Sequence, residues 1–372
     1  MKAGIFVCGE GLGHTTRCLA LGERLISGGH EVVFCGYGYS KKHLEDCGFP
    51  VHSIPSELRL IGDEGSISMR KSILRTIREI DPFAFPRLIN IIRREKLDVV
   101  VSDSYLMAAI SARIARKPVV LILNQTNMYN LFKNQGADVE LVGKAVHGFS
   151  KKVFKHVDRI LIPDFPPPYA VCEKNIDFET DLIDKVEFTG PMVRKKPEDV
   201  KAMHFDKPHI LSMVGGFGYR EKIFHNVISA AKSMTDHDFT LASGPSVDLD
   251  HMKSSLPENI RIVKHINEVF PYLKASQAVI APGGHSTIME CASFGKPILS
   301  FPDMFHAEQE NNAKKVEELG IGRCLSYFNP PFMIEEFIRE SKRYETNCAK
   351  LMDYAKKMDG PGRVAEILEE MT

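Results

Sequence analysis

Short apolar runs recur along the chain and alternate with stretches of helical periodicity. Residues 3–8, 31–35, 98–102, 118–123 and 159–162 are dominated by Val, Ile, Leu, Ala, Phe and Cys. Runs this short and this continuously apolar predict strands buried on both faces of a parallel sheet. The segments 14–27 and 104–115 carry apolar residues three and four apart and predict helices. The pattern breaks at Glu187-Phe188-Thr189-Gly190-Pro191-Met192-Val193-Arg194-Lys195-Lys196-Pro197, whose Gly, Pro and basic residues predict a linker. It then restarts, with strands predicted at 209–213, 260–263, 277–281 and 297–301 and a helix at 267–274. From about Pro330 the chain reads as helices, with a break expected at Gly360-Pro361-Gly362. The expectation is an α/β protein of two Rossmann-like, doubly wound domains facing each other across a ligand cleft. The first is expected over residues 1–190 and the second over 191–354, with a C-terminal helix at 355–372 that packs back on the first.

Composition narrows the function classes. The 372 residues fit two domains at roughly 100–200 residues each. Lys+Arg and Asp+Glu both number 48, so the net charge is zero and nucleic acid is not an expected partner. Apolar residues make up 44%, yet none of the runs approaches the roughly 20 residues that span a bilayer. The opening residues read as a strand and not as a signal peptide. Eight cysteines are scattered without paired spacing, several of them in apolar runs (Cys8, Cys35, Cys291). They are expected to be free thiols in a reducing cytoplasm, forming neither disulfides nor a zinc site.

The first strand ends in Gly9-Glu10-Gly11-Leu12-Gly13-His14-Thr15-Thr16-Arg17. A dinucleotide fingerprint would need glycine at position 14 and an acid after the second strand; this chain has His14 and Cys35-Gly36-Tyr37. His14 at a helix start is disfavoured from protonation and can serve as a general base on a hydroxyl. The alternative is a histidine that only hydrogen-bonds the helix start. The fourth strand ends in Asp103, which topology brings to the same sheet edge. There it can orient His14 as in a hydrolase triad or merely cap the helix that follows.

The strongest signal is Pro282-Gly283-Gly284-His285-Ser286-Thr287-Ile288-Met289-Glu290, with Gly295-Lys296-Pro297 beyond it. It reads as strand, glycine loop, helix and stop. The amides of Gly284, His285, Ser286 and Thr287 at a helix N-terminus form a diphosphate cradle. Glu290, one turn on, can reach ribose hydroxyls. Glu308-Gln309, starting a helix just after the next strand, offers an acid and an amide suited to sugar hydroxyls; a solvated helix start is the plainer alternative.

These motifs resemble the UDP-glycosyltransferase superfamily, closest to the MurG branch of lipid-linked N-acetylglucosamine transferases and its archaeal relatives. The resemblance rests on Gly-Gly-His-Ser-Thr-x-x-Glu, Gly-Lys-Pro, Glu-Gln-x-x-Asn-Ala, the N-terminal Gly-x-Gly-His, and Thr189-Gly190-Pro191 at the interdomain crossing. It implies the GT-B fold, a UDP-sugar donor and an inverting transfer without metal or other cofactor. It implies that His14 is the base and Asp103 its partner. It sets Gly215, Gly216 and Gly218 beside the diphosphate, and His265 and Ile266 at the nucleobase. Glu290 falls on the ribose, and Glu308 with Gln309 on the sugar. Gly11, Gly13 and Arg17 form the acceptor-side loop. Peptidoglycan enzymes carry a second Gly-Gly pair where this chain has Gly11-Leu12-Gly13, and many relatives have Pro at the place of Arg17.

The acceptor is expected to be a hydroxyl, with a lipid-linked one a candidate. Residues 59–96 hold nine Lys/Arg against five Asp/Glu, a net +4. Ile73, Leu74, Ile77 and Ile80 fall on one helical face with Arg70, Lys71, Arg75 and Arg78 beside it. Such a face suits peripheral contact with an anionic membrane, on its inner side for a cytoplasmic enzyme, but a helix packed on the core is the expectation on base rates. Asp248-Leu249-Asp250 matches the metal motif of the other transferase fold but reads as a polar turn. Two rival functions remain: a nucleotide-sugar epimerase, and a non-catalytic nucleotide-sugar-binding protein. Turnover that requires a second substrate separates transfer from both.

Overall fold

The computed structural model describes residues 1–63, 66–213, 220–243, 256–264, 266 and 268–372, apart from the side chains of residues 12, 63, 66 and 221. Gly215, Gly216, Gly218 and His265 lie outside the described residues, as does the 248–250 triplet. The chain divides into two compact units. One comprises Met1–Ile61, Ser68–Arg194 and Met358–Thr372; the other comprises Gly62–Ile67 and Lys195–Lys357.

The first unit opens with β1 (Lys2–Val7), α1 (Leu12–Ser27), β2 (Glu31–Gly36), α2 (Gly38–Asp46) and β3 (Val51–Ser53). A short antiparallel pair follows, β4 (Gly62–Asp63) and β5 (Ser66–Ile67), which groups with the second unit. Then come α3 (Met69–Arg78), α4 (Ala84–Arg94), β6 (Val99–Asp103), α5 (Leu106–Ile114), β7 (Val119–Ile122), α6 (Ala137–His156), β8 (Arg159–Ile162) and β9 (Val186–Phe188). Seven strands form one parallel sheet in the order β3-β2-β1-β6-β7-β8-β9. Period-two alternation sends Val99 and Val101 to one core and Val100 to the other. Both faces of the sheet are therefore buried, which explains strands apolar at every position.

The second unit holds β10 (His209–Met213), α7 (Glu221–Ser233), β11 (Asp238–Ala242), β12 (Ile260–Val263), α8 (Phe270–Ala275), β13 (Ser276–Ala281) and α9 (His285–Ser293). It continues through β14 (Ile298–Ser300), α10 (Ala307–Glu318), β15 (Gly322–Cys324), α11 (Phe332–Arg339) and α12 (Glu345–Lys356). Its parallel sheet runs β12-β11-β10-β13-β14-β15, the doubly wound order. In each sheet the order reverses once, between β1 and β6 in the first and between β10 and β13 in the second. Ligands of such sheets bind at the carboxyl ends of the strands flanking that reversal.

Three local expectations sharpen or change. The helices break at Gly360-Pro361-Gly362 as expected: α12 ends at Lys356 and the triplet opens α13 (Gly360–Glu370), with Asp359 as N-cap accepting from the Gly362 amide at 3.1 Å. Proline is tolerated in a first helical turn because its missing N–H is unpaired there anyway. α13 packs on α1 within the first unit. Second, α3 does not bury its apolar face: it buries Met69 and Ser72, while Leu74, Ile77 and the following Ile80 are 52%, 59% and 62% exposed. Third, Asp103 is not the cap of α5. Glu57 takes that role, accepting from the amides of Leu106 and Met107 at 2.9 and 3.0 Å, and burial pushes its carboxyl up to about 7. No helix among the described residues is long and apolar enough to cross a membrane.

Candidate active site

In the first unit the register pairs Val7 of β1 with Asp103 of β6 at the sheet reversal. The chain leaves β1 through Gly9–Gly11 and enters α1 at Gly11, whose φ of +97° suits glycine and whose Cβ position faces open space. No side chain caps α1, so His14 is not spent on the helix start. Its Nδ1 lies 2.7 Å from Asp103 Oδ1. Asp103 is fully buried, while the His14 side chain keeps 23% exposure. A ring nitrogen facing a carboxylate carries the proton, which leaves Nε2 as the basic atom. No described hydrogen bond engages Nε2.

Arg17 departs from expectation. It does not face an acceptor from the loop; it lies on α1, 3% exposed, turned onto Asp103. Nε donates to Oδ2 and Nη2 to Oδ1, both at 2.5 Å, and Nη1 donates to Asn124 Oδ1 at 3.1 Å. Burial alone would raise the Asp103 carboxyl; Arg17, then His14, override it and hold Asp103 far below the usual carboxylate range.

In the second unit β13 leads through Pro282 and Gly283 into α9. Gly283 has φ +85°, and its carbonyl accepts from Asn312 Nδ2 at 3.2 Å. Gly284 is the N-cap of α9, with no side-chain cap and no acid in the first turn. The first turn of the helix thus places no carboxylate of its own at the positive end of the dipole. His285 and Glu290 are buried, Ser286 and Thr287 half-buried. Ile266 is half-buried in the segment before α8.

Glu308 and Gln309 open α10 but point to different surroundings. Glu308 is half-buried, its Oε1 accepting from Asn312 at 3.4 Å. Gln309 is 7% exposed and turned inward: Oε1 accepts from the Asp303 amide at 2.9 Å, and Nε2 donates to Asp303 Oδ2 at 3.2 Å. The amide expected on a sugar is engaged with Asp303 in this structure. Asp303 escaped the sequence reading. It is fully buried, paired with Arg220 through Nε at 2.8 Å and through a second, shorter contact from Nη2. It also accepts from Tyr327 Oη at 2.8 Å. Burial would raise this carboxyl as well, and the Arg220 charge overrides it downward. The available signal was positional: Asp303 follows β14 much as Asp103 ends β6.

Residues 2–178 match the glycosyl transferase family 1 description, and residues 210–360 match the glycosyltransferase family 28 C-terminal domain. The chain is 48% identical over 373 residues to an uncharacterized glycosyltransferase of Methanosarcina acetivorans, covering 100% of this chain and 98% of that protein. A UDP-N-acetylglucosamine–N-acetylmuramyl-(pentapeptide) pyrophosphoryl-undecaprenol N-acetylglucosamine transferase of Caldicellulosiruptor saccharolyticus is 23% identical over 325 residues, 79% of this chain and 80% of that one. Among solved structures, the glycotransferase of kitacinnamycin shares the fold with a TM-score of 0.72 at 16% identity, covering 100% of this chain and 98% of that one. With a full-length relative at 48% identity, a family match in each half and that shared fold, the chain belongs to the glycosyltransferases of the GT-B superfamily.

Proposed function

We propose that this glycosyltransferase is inverting and metal-independent, moving a hexose or N-acetylhexosamine from a UDP-sugar to an acceptor hydroxyl. The observation that carries the reading is the 2.7 Å contact of His14 Nδ1 with buried Asp103, which leaves Nε2 as a base. A hydroxyl becomes a competent nucleophile as its proton leaves, and UDP is already a good leaving group. One base and one anion cradle then suffice for a single in-line displacement. The uncapped, acid-free N-terminus of α9 is the cradle, and its dipole takes the place of a metal in neutralising the diphosphate. Glu290 takes the ribose and Glu308 the sugar, while Gly215, Gly216, Gly218, His265 and Ile266 complete the donor pocket.

The MurG-like reading of donor and acceptor finds its support in the name of the 23% identical relative, a UDP-N-acetylglucosamine transferase onto a pyrophosphoryl lipid. A lipid-linked acceptor also fits the exposed Leu74, Ile77, Ile80 and Phe83 beside the exposed Arg70 and Arg75. Apolar side chains flanked by cations suit the surface of an anionic membrane, with the enzyme peripheral on its cytoplasmic face.

The test is turnover of UDP-sugars in EDTA by wild type and His14→Ala, with the anomeric configuration of the product read by NMR. The expected loss in turnover is about 10²–10⁴-fold, the usual range for a positioned base, with UDP affinity hardly changed. Asp103→Asn should lose less, and the double variant should resemble His14→Ala. Near-normal transfer by His14→Ala, retention of configuration or an obligatory divalent ion overturns the mechanism.

A further inference from the structure

Arg17 sits one turn beyond His14 on α1 and reaches the same carboxylate. Its Nη2 lies 2.5 Å from Asp103 Oδ1 and 2.9 Å from His14 Nδ1, while Nδ1 lies 2.7 Å from that oxygen. A guanidinium only donates and a carboxylate only accepts, so the Nδ1 proton goes to Oδ1 and two donors converge on one oxygen. The second oxygen is taken by Arg17 Nε at 2.5 Å, and Asn124 holds the remaining arm of the fork. Arg17 and Asp103 are both buried, at 3% and 0% exposure, so water does little to screen their charges.

We propose that Arg17 is a positioning residue that fixes the Asp103 carboxylate beneath His14 and sets a second cation against the imidazole that this carboxylate orients. A lone carboxylate beside a histidine stabilises the imidazolium and shifts its charging to higher pH. Here the carboxylate's charge is largely spent on a guanidinium that itself lies 2.9 Å from the ring. Placing a second proton on Nε2 would set a cation beside that guanidinium. The guanidinium thus opposes the charge that the carboxylate would otherwise favour on the ring. The bidentate fork also sets the plane of the carboxylate, a geometry that lysine does not reproduce.

The other groups around this cluster do not supply the effect. Cys18 Sγ, on α1, lies 3.3 Å from Asp103 Oδ2, and Cys8 sits at the end of β1; burial pushes Cys18 upward and Cys8 to about 12, so both stay neutral thiols. The carboxylates of Glu10 and Glu57 act on Cys8. α2 meets α1 through the neutral Thr15–Ser40 hydrogen bond at 2.9 Å, and α13 meets it through Val364 and Leu368. Among the described residues, Arg17 is the cation that lies within hydrogen-bond reach of the ring, at 2.9 Å.

The inference rests on the proposed role of His14 only for its kinetic readout, because the ring can be titrated directly. NMR titration of His14 would compare wild type, Arg17→Lys, Arg17→Gln, Asp103→Asn and Asp103→Asn/Arg17→Gln. Arg17→Gln should raise the titration midpoint by about one pH unit, the low end of what a neighbouring charge does; Arg17→Lys should stay near wild type. Asp103→Asn, which removes the carboxylate and keeps the guanidinium, should fall below wild type, and adding Arg17→Gln should restore the lost ground. That neutral double variant keeps the test available if Arg17→Gln alone fails to fold. The acid limb of kcat/KM should move up with the ring in Arg17→Gln, with UDP affinity unchanged. Equal midpoints in Asp103→Asn with and without Arg17 overturn the inference. A ring that moves while the kinetic limb stays fixed supports it and removes His14 as the base.

Discussion

Arg17–Asp103 in the first unit and Arg220–Asp303 in the second are built alike. Each is a buried, two-pronged ion pair near the carboxyl end of a central strand, and in each the aspartate is fully buried. They differ in what else the aspartate holds. Asp103 holds His14, whose side chain keeps 23% exposure. Asp303 holds Tyr327 and Gln309, both buried at 3% and 7% exposure. Desolvating two charges can offset most of their attraction, so a buried pair is weak evidence for stability as such. What it supplies is direction: in the first unit a carboxylate aimed at a reachable imidazole, in the second a brace across two segments that lead into helices. Arg220 immediately precedes α7 and Asp303 precedes α10, so the pair ties the two helix starts of one sheet edge together.

The comparison breaks most directly at Asp303. Asp303→Asn keeps the shape and removes the carboxylate that pairs with the buried Arg220, and breaking such a pair typically destabilises by about 3–5 kcal/mol. Urea unfolding of the full chain should register that loss, and the NMR titration of His14 should be unaffected. A loss below about 1 kcal/mol would mean that Asp303 is no brace. A displaced His14 titration would mean that the two pairs do not act independently.

The two pairs also mark the limit of what the sequence discloses. The strands, their burial on both faces and the pairing of His14 with Asp103 follow from apolar runs and from the topology of a parallel sheet. Arg17 was misplaced because its target lies 86 residues away on β6, and nothing local announces that reach. Asp303 hid in a polar stretch that reads as an ordinary helix start. Glu57 caps a helix that begins 49 residues later, a partner that leaves the two roles open to Asp103 undecided by local sequence. The break at Gly360-Pro361-Gly362 was legible, and Asp359 fixes its place by accepting from the Gly362 amide at the start of α13. In each case local periodicity places the backbone, and a contact between distant residues gives the side chain its task.

A second pair of residues, the histidines, sharpens the contrast. His209 at the start of β10 is 1% exposed and stacked on Phe205 with ring centroids 3.7 Å apart. Its Nε2 meets Thr240 Oγ1 at 2.8 Å, and its buried Nδ1 has no partner. Burial lowers its pKa from 6.5 to about 4. Above pH 6.5 both folded and unfolded chains hold it neutral, and its contribution is intact. Between 6.5 and 4 the unfolded chain takes up a proton that the folded one refuses, so stability falls as pH falls. The loss levels off below pH 4 at about 3 kcal/mol, at 1.36 kcal/mol per pKa unit. Urea midpoints of wild type and His209→Phe across pH 4–8 should converge as the pH drops. Parallel curves would mean that His209 takes up its proton in the fold as readily as in the unfolded chain.

The smallest effect decides whether the second pair is only a brace. Gln309 gives both ends of its amide to Asp303, one to the backbone N–H and one to the carboxylate. Gln309→Ala therefore deletes two buried hydrogen bonds, each worth about 1 kcal/mol net, and leaves the Asp303 amide without its acceptor. If bracing is its role, the variant should be less stable by about 1–2 kcal/mol. UDP affinity and turnover should then fall together, because the start of α10 and Glu308 loosen as a unit. If the amide instead turns outward to a bound sugar, turnover should fall while UDP affinity and the unfolding midpoint stay where they were, since UDP carries no sugar to lose. That second outcome would give Asp303 a solvent-reaching partner like His14, and the two buried pairs would then differ in chemistry and not in purpose.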